Sequence, residues 1–164
     1  MRRARIRTAT ATSVMKPIVL FMVVAFALSG LSQEKRITRE ELPVLVRETA
    51  EKQAEGATIR CYTKEVENGQ VEFEVQLLTG GHTKDVSIAP DGRVLEVEEQ
   101  VEIGSLPEDV KYGLQAGAKS GKITKVESIS KNGNLVAYEA KVVTGGRHSE
   151  VLVGPDGKRL NHEE

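Results

Sequence analysis

Tryptophan is absent from this chain and cysteine occurs once, as Cys61. One thiol cannot staple the fold internally, so the domain must hold together by burial alone. Cys61 reads as a small apolar residue in a strand, with no histidine or acid adjoining it to activate the sulfur. Because no cysteine stands directly after the N-terminal apolar stretch, a lipid anchor of the bacterial lipoprotein kind is not expected. Aromatics are few. Phe21 and Phe26 lie in that stretch, which leaves Phe73, Tyr62, Tyr112 and Tyr138 for everything downstream. The core must therefore be built mainly from Val, Leu, Ile and Ala. No long hydrophobic run occurs either: the longest, Ile18–Leu28, is 11 residues, against about 20 needed to span a bilayer.

Acidic residues are missing from 1–33, which hold Arg2, Arg3, Arg5, Arg7 and Lys16. A cation, an apolar run and closing small residues in "MKPIVLFMVVAFALSGLS" form an export signal, with cleavage expected after Ala27 or Ser32. Met15 is an alternative start. An uncleaved segment would be the only route to membrane attachment, and a mitochondrial presequence fits the apolar run less well. The signal is assigned to 1–33. The remainder holds 18 basic and 24 acidic residues, a net charge of −6. An acidic chain without a basic patch is a poor partner for phosphate backbones, which excludes nucleic acid.

What the sequence does have is a phrase stated twice. "TGGHTKDVSIAPDGRVL" (Thr79–Leu95) aligns with "TGGRHSEVLVGPDGKRL" (Thr144–Leu160) over 17 positions without a gap, eight of them identical. Upstream, Asn68-Gly69 meets Asn132-Gly133, Ile59 meets Ile123, and Leu42-Pro43 meets Leu106-Pro107, with an offset of 64 residues before the Asn-Gly pair and 65 after it. The spacing predicts a tandem duplication over 37–99 and 105–164.

Each copy reads as a helix followed by about four strands. Pro43 and Pro107 suit a first helical turn, and Glu108 and Asp109 suit the positive end of the dipole. Thr38-Arg39-Glu40-Glu41 has the capping-box form and reads as a separate preceding turn. Val46, Thr49, Ala50 and Gln53 continue a weak stripe in the first copy, Val110 and Leu114 one in the second. Gly113 and Gly117 weaken the second helix, and Gly56 and Gly121 mark the ends. Val71, Phe73, Val75 and Leu77 alternate with Glu72, Glu74 and Gln76, the mark of a sheet with one wet face. Tyr138, Ala140 and Val142 alternate with Glu139 and Lys141 in the same way. Asn-Gly, Gly-Gly and Pro-Asp-Gly supply three turns per copy. The fold class is α+β, with two tandem repeats, each one helix and an antiparallel meander of about four strands, packed as one continuous sheet with both helices on one face.

With the Leu-Pro-led helix, the Ile123-Thr124-Lys125-Val126 strand, the Asn-Gly turn, "FEVQL" (Phe73–Leu77), "YEAKV" (Tyr138–Val142) and the closing Asp-Gly turn in order, both copies resemble the PepSY and PepSY-like family. The first copy departs at Cys61-Tyr62, where the pattern prefers a polar residue and then valine. The resemblance implies an exported, non-catalytic module that binds a protein partner and restrains a peptidase. The tandem arrangement is also similar to the beta-lactamase inhibitor protein, in which two helix-plus-sheet repeats grip an enzyme loop. Such grips lean on exposed aromatic anchors, which are scarce here, so lactamase inhibition is not expected.

Candidate chemistry is sparse. His82 and His148 follow the two Gly-Gly turns and, with His162, read as solvated turn residues rather than metal ligands. Asp91-Gly92 and Asp156-Gly157 carry one acid each where calcium loops need several. No catalytic, cofactor or metal set is expected. Charge is the exception. Leu42–Glu98 holds 6 basic and 11 acidic residues, whereas Leu106–Glu164 holds 9 and 8. Glu65, Glu67, Glu72, Glu74 and Glu96 are the candidate partner-binding face. Its expected partners are an exported protein or peptidase or, on the alternative of an acidic envelope protein that sequesters cations or small ligands, weakly held divalent cations.

Overall fold

A computed structural model describes residues 34–67 and 69–161, the side chain of Glu67 excepted. The expected export signal (1–33), Asn68 and His162 lie outside the described residues. The chain runs β1 (Lys35–Ile37), a 3-10 turn (Arg39–Glu41), α1 (Val44–Gln53), β2 (Thr58–Glu67), β3 (Gln70–Thr79), β4 (His82–Ile88) and β5 (Val94–Gln100). A second 3-10 turn (Ile103–Ser105), α2 (Glu108–Ala118), β6 (Lys122–Lys131), β7 (Asn134–Thr144) and β8 (Arg147–Val153) follow.

The strands form one open, eight-stranded antiparallel sheet in the order β1 to β8. This corrects the expected pair of helix-plus-four-strand repeats: the described residues are mostly sheet, with two α-helices, of ten and eleven residues, among them. A strand precedes α1, and only three named strands follow α2. The second Pro-Asp-Gly turn leads to a single bridge, Val153–Arg159, rather than a strand. β5 carries Val94, Leu95 and Val97, with Glu96 and Glu98 alternating about Val97, whereas Lys158-Arg159-Leu160-Asn161 offers one apolar side chain and no alternation.

The turns explain why the phrase recurs. Gly80-Gly81 and Gly145-Gly146 have positive φ throughout, as does Asn132-Gly133 (50° and 79°), the conformation a two-residue hairpin needs. In the Pro-Asp-Gly turns, Gly92 N–H donates to the Ala89 carbonyl at 2.9 Å and Gly157 N–H to that of Gly154 at 2.9 Å. Asp91 accepts from Arg93 N–H at 3.1 Å and Asp156 from Lys158 N–H at 3.0 Å. Pro43 and Pro107 stand one position ahead of the helices, at the caps. The Thr38 turn forms as a separate element, with Thr38 N–H donating to Glu41 Oε2 at 2.8 Å. Gly56 follows α1 with φ 77°. After α2 the positive φ falls on Lys119 rather than on Gly121, whose missing Cβ instead makes room for Val142 and Thr144.

Both helices pack on the same face. Leu42, Val46 and Ala50 cover Tyr62, Phe73, Val75, Leu77, Val86 and Ile88. Leu106, Val110, Leu114 and Ala118 cover Val126, Ala140, Val142, Val151 and Val153, with Tyr138 partly buried beside them. Full burial of each Val or Leu contributes about 1.5–3 kcal/mol. Between the two cores runs the β5–β6 ladder, from Glu96 opposite Lys131 to Gln100 opposite Glu127.

Candidate binding face

Because side chains alternate across a sheet, burying Phe73, Val75 and Leu77 against α1 sends Glu72, Glu74 and Gln76 to the other face. Register extends this face across the sheet. One row runs Thr63, Glu74, Ser87, Glu96, Lys131, and the next runs Cys61, Gln76, Asp85, Glu98, Ile129. No helix covers it among the described residues.

Four of the five acids singled out by sequence come together here. Glu65, Glu72, Glu74 and Glu96 line one depression of about 580 Å³, with Glu98, Ser87, Leu95, Lys131 and Asn132. Glu65 and Glu72 stand directly opposite each other, and Lys131 Nζ lies 3.6 Å from Glu96 Oε2. Glu67 ends β2 opposite Gln70, and its side chain lies outside the described residues. Cys61 is half-buried, in a strand as expected, but on this polar face, where its thiol donates to Gln76 Oε1 at 3.1 Å. Gln76 Nε2 in turn donates to Glu74 Oε1 at 2.8 Å.

Sequence reasoning missed the most tightly gathered carboxylates. Asp85, Glu98 and Glu127 place one oxygen each within 4.8 Å of one another. Burial, then the charge of Glu74, pushes the Asp85 carboxyl up to about 6. Burial, then Glu127 and Glu96, pushes Glu98 up to about 8, so it keeps its proton at neutral pH. Alternation with Val86, Ile88 and Val97 was the available signal for the first two. Glu127 was hidden because bulges at Ile123/Lys125 and Ile129/Ser130 shift the β6 register, leaving Ile129 buried on the polar face.

Over β6–β8 the carboxylates are neutralised within the chain. Glu127, 3% exposed at its side chain, meets Lys125 Nζ at 2.6 Å. Lys141 Nζ reaches Glu139 at 2.5 Å, Glu150 at 2.9 Å and Glu127 at 4.0 Å. Burial works against the Lys141 charge, but its bonds to Glu139 and Glu150 outweigh it and hold the ammonium above the usual lysine range.

Asp85, Glu98 and Glu127 are the residues that could offer oxygens to a hard cation. Three ligands fall short of the six to eight that calcium takes, and Glu127 already holds a lysine. His82 lies 3.2 Å from Glu102, and His148 is exposed on β8, away from the β4 strand that carries His82. What the face does offer is a broad, carboxylate-rich surface on a rigid sheet, suited to recognising positive charge.

No family model, PepSY included, and no curated protein matches the chain. Among solved structures, a Bacteroides eggerthii protein named as periplasmic superposes with a TM-score of 0.60 at 15% identity, over 75% of this chain and 88% of its own. A BLIP-like protein from Bacteroides fragilis gives 0.53 at 18% identity, over 73% and 83%. A DUF2874 family protein from Bacteroides ovatus gives 0.58 at 16%, over 74% and 87%. These likenesses show that the chain shares the BLIP-like fold.

Proposed function

We propose that this chain is an exported, non-catalytic binding module that engages a protein partner through the uncovered face of its sheet. The observation that carries the reading is the depression between Glu65, Glu72, Glu74, Glu96 and Glu98, on a face that no helix of the described residues packs against. The export signal and the fold shared with a protein named as periplasmic support the location; the BLIP-like fold supports a binding role. Fold alone does not carry function, so the weight rests on the face. The PepSY resemblance makes a peptidase the partner class to assay first.

The test uses the chain from Gln33 onward as bait in the exported fraction of the native cell, with a Glu72→Lys, Glu74→Lys double variant as control. The expected outcome is one protein held by the native chain and lost by the variant, with inhibition assayed next if it is a peptidase. Nothing held above background would end this reading. The alternative, divalent cations held by the acidic face, predicts instead a higher melting temperature in millimolar calcium with no protein partner present.

A further inference from the structure

The face contains two ladders of the same register with different chemistry. In β2–β3–β4, Cys61 opposes Gln76 and Gln76 opposes Asp85. In β6–β7–β8, Lys125 opposes Lys141 and Lys141 opposes Glu150. One step along, Thr63 and Glu74 correspond to Glu127 and Glu139. The positions differ by 64 on the first strand and 65 on the next two, the offsets found in the sequence.

Two carboxylates are thus kept and the cations are not. Glu139 and Glu150 flank Lys141 and fix its ammonium at 2.5 and 2.9 Å. Glu74 and Asp85 flank Gln76, a neutral amide that satisfies Glu74 at 2.8 Å. Asp85 makes no hydrogen bond or ion pair among the described residues, and the two lysines whose charge reaches it, Lys125 and Lys141, are already bound to Glu127, Glu139 and Glu150. Lys125 is replaced by Cys61, which Arg36 of β1 reaches. Glu127 is replaced by Thr63, 3% exposed, whose Oγ1 has no hydrogen-bond partner among the described residues. Next to this site, Glu65 and Glu72 stand where the second ladder has the apolar Ile129 and Ala137. One ladder carries its counter-cations. The other keeps the acids and lacks the lysines.

We propose that the β2–β3–β4 ladder is a seat for a lysine or arginine side chain of the protein partner, whose cation takes the place between Glu74 and Asp85 that Lys141 holds between Glu139 and Glu150. This rests on the docking role proposed above and specifies its chemistry: the partner presents a cationic side chain on an exposed segment. Lys141 shows that this register binds an ammonium. A bidentate guanidinium would also suit two carboxylates on neighbouring strands.

The probe is the peptide acetyl-Gly-Ser-Lys-Gly-Arg-Ser-Gly-amide, with a twin carrying Gln in place of Lys and Arg, titrated at low salt and followed by NMR. The cationic peptide is expected to move the Gln76 side-chain amide and the β3–β4 backbone signals, and the twin to move neither. Gln76→Lys supplies the missing cation from within. It is expected to weaken peptide binding about tenfold or more and to raise the melting temperature. Asp85→Asn should weaken the peptide similarly while keeping the fold. Equal binding of the twin, no binding of either peptide, or full affinity in both variants would overturn the seat. The two readings fail separately. A captured partner indifferent to Gln76→Lys would leave docking intact without the seat. Peptide binding lost in Gln76→Lys, with no partner captured, would leave the seat without the docking role.

Discussion

Glu98 shows how one residue can be costly where it stands. It faces Asp85 across the β4–β5 ladder and lies near Glu127, so ionising it places a third charge among carboxylates already withdrawn from water. In the unfolded chain Glu98 loses its proton near 4.5, and in the folded protein near 8. Between those values the folded state binds more protons than the unfolded state, so stability falls as pH rises and the loss is complete above about 8. Asp85 adds a smaller loss between 3.8 and about 6. The protein should therefore melt at a higher temperature at pH 5 than at pH 8.5. Glu98→Gln should flatten that dependence and add about 1 kcal/mol at pH 8.5, the shift being discounted for partial exposure. Denaturant unfolding of both proteins at the two pH values checks this, and a native chain more stable at pH 8.5 would contradict it. The two strands' alternation made Asp85 and Glu98 legible as wet-face residues; that Glu127 would be brought to them was not.

At the scale of elements, α2 reverses an expectation drawn from propensity. Gly113 and Gly117 each cost a helix about 1 kcal/mol relative to alanine, which is why the sequence reads this helix as weak. In the fold a Cβ on Gly113 would collide with the Gly157 carbonyl, and one on Gly117 with Val151. The glycines let α2 lie close against β8 and its following turn, burying Val110, Leu114 and Ala118. Gly117→Ala should therefore destabilise the protein by about 2 kcal/mol despite the gain in propensity. Gly104→Ala, whose Cβ would meet nothing within 4 Å, should stay within about 0.5 kcal/mol of the native chain. Chemical denaturation of the two variants decides the matter; a Gly117→Ala protein as stable as the native one would mean that α2 sits farther from the sheet.

For the whole molecule, the decisive joint is the β5–β6 ladder. It carries five register pairs and joins a core under α1 to a core under α2. Backbone pairing without interruption makes independent melting of the halves costly, since opening either one exposes a sheet edge of unpaired N–H and C=O groups. A single cooperative transition is expected. Leu77→Ala, at a position with no exposure in the α1 core, should cost about 3 kcal/mol and shift that whole transition. Far-UV circular dichroism with hydrogen exchange tests this: two separate steps, with α2 amides still protected after the first, would show the halves to be uncoupled.

The sequence by itself determined the local structure: the turns, from Asn-Gly, Gly-Gly and Pro-Asp-Gly; the two cores, from apolar periodicity; and the acidic side of β3, from alternation. Each is a short-range property, set by φ preferences or by which side chain leaves water. Tertiary structure decided the rest. It set the number of strands, because β1 is paired by β2, and the segment Lys158-Arg159-Leu160-Asn161, with one apolar side chain, makes a single bridge where β5 makes a strand. It also decided which charges meet. Asp85, Glu98 and Glu127 come from three strands, and Gln76 stands in for Lys141 only once two ladders are seen in the same register. Charge pairing depends on register across hydrogen-bonded strands, and bulges that shift register by one residue leave no reliable mark in the sequence.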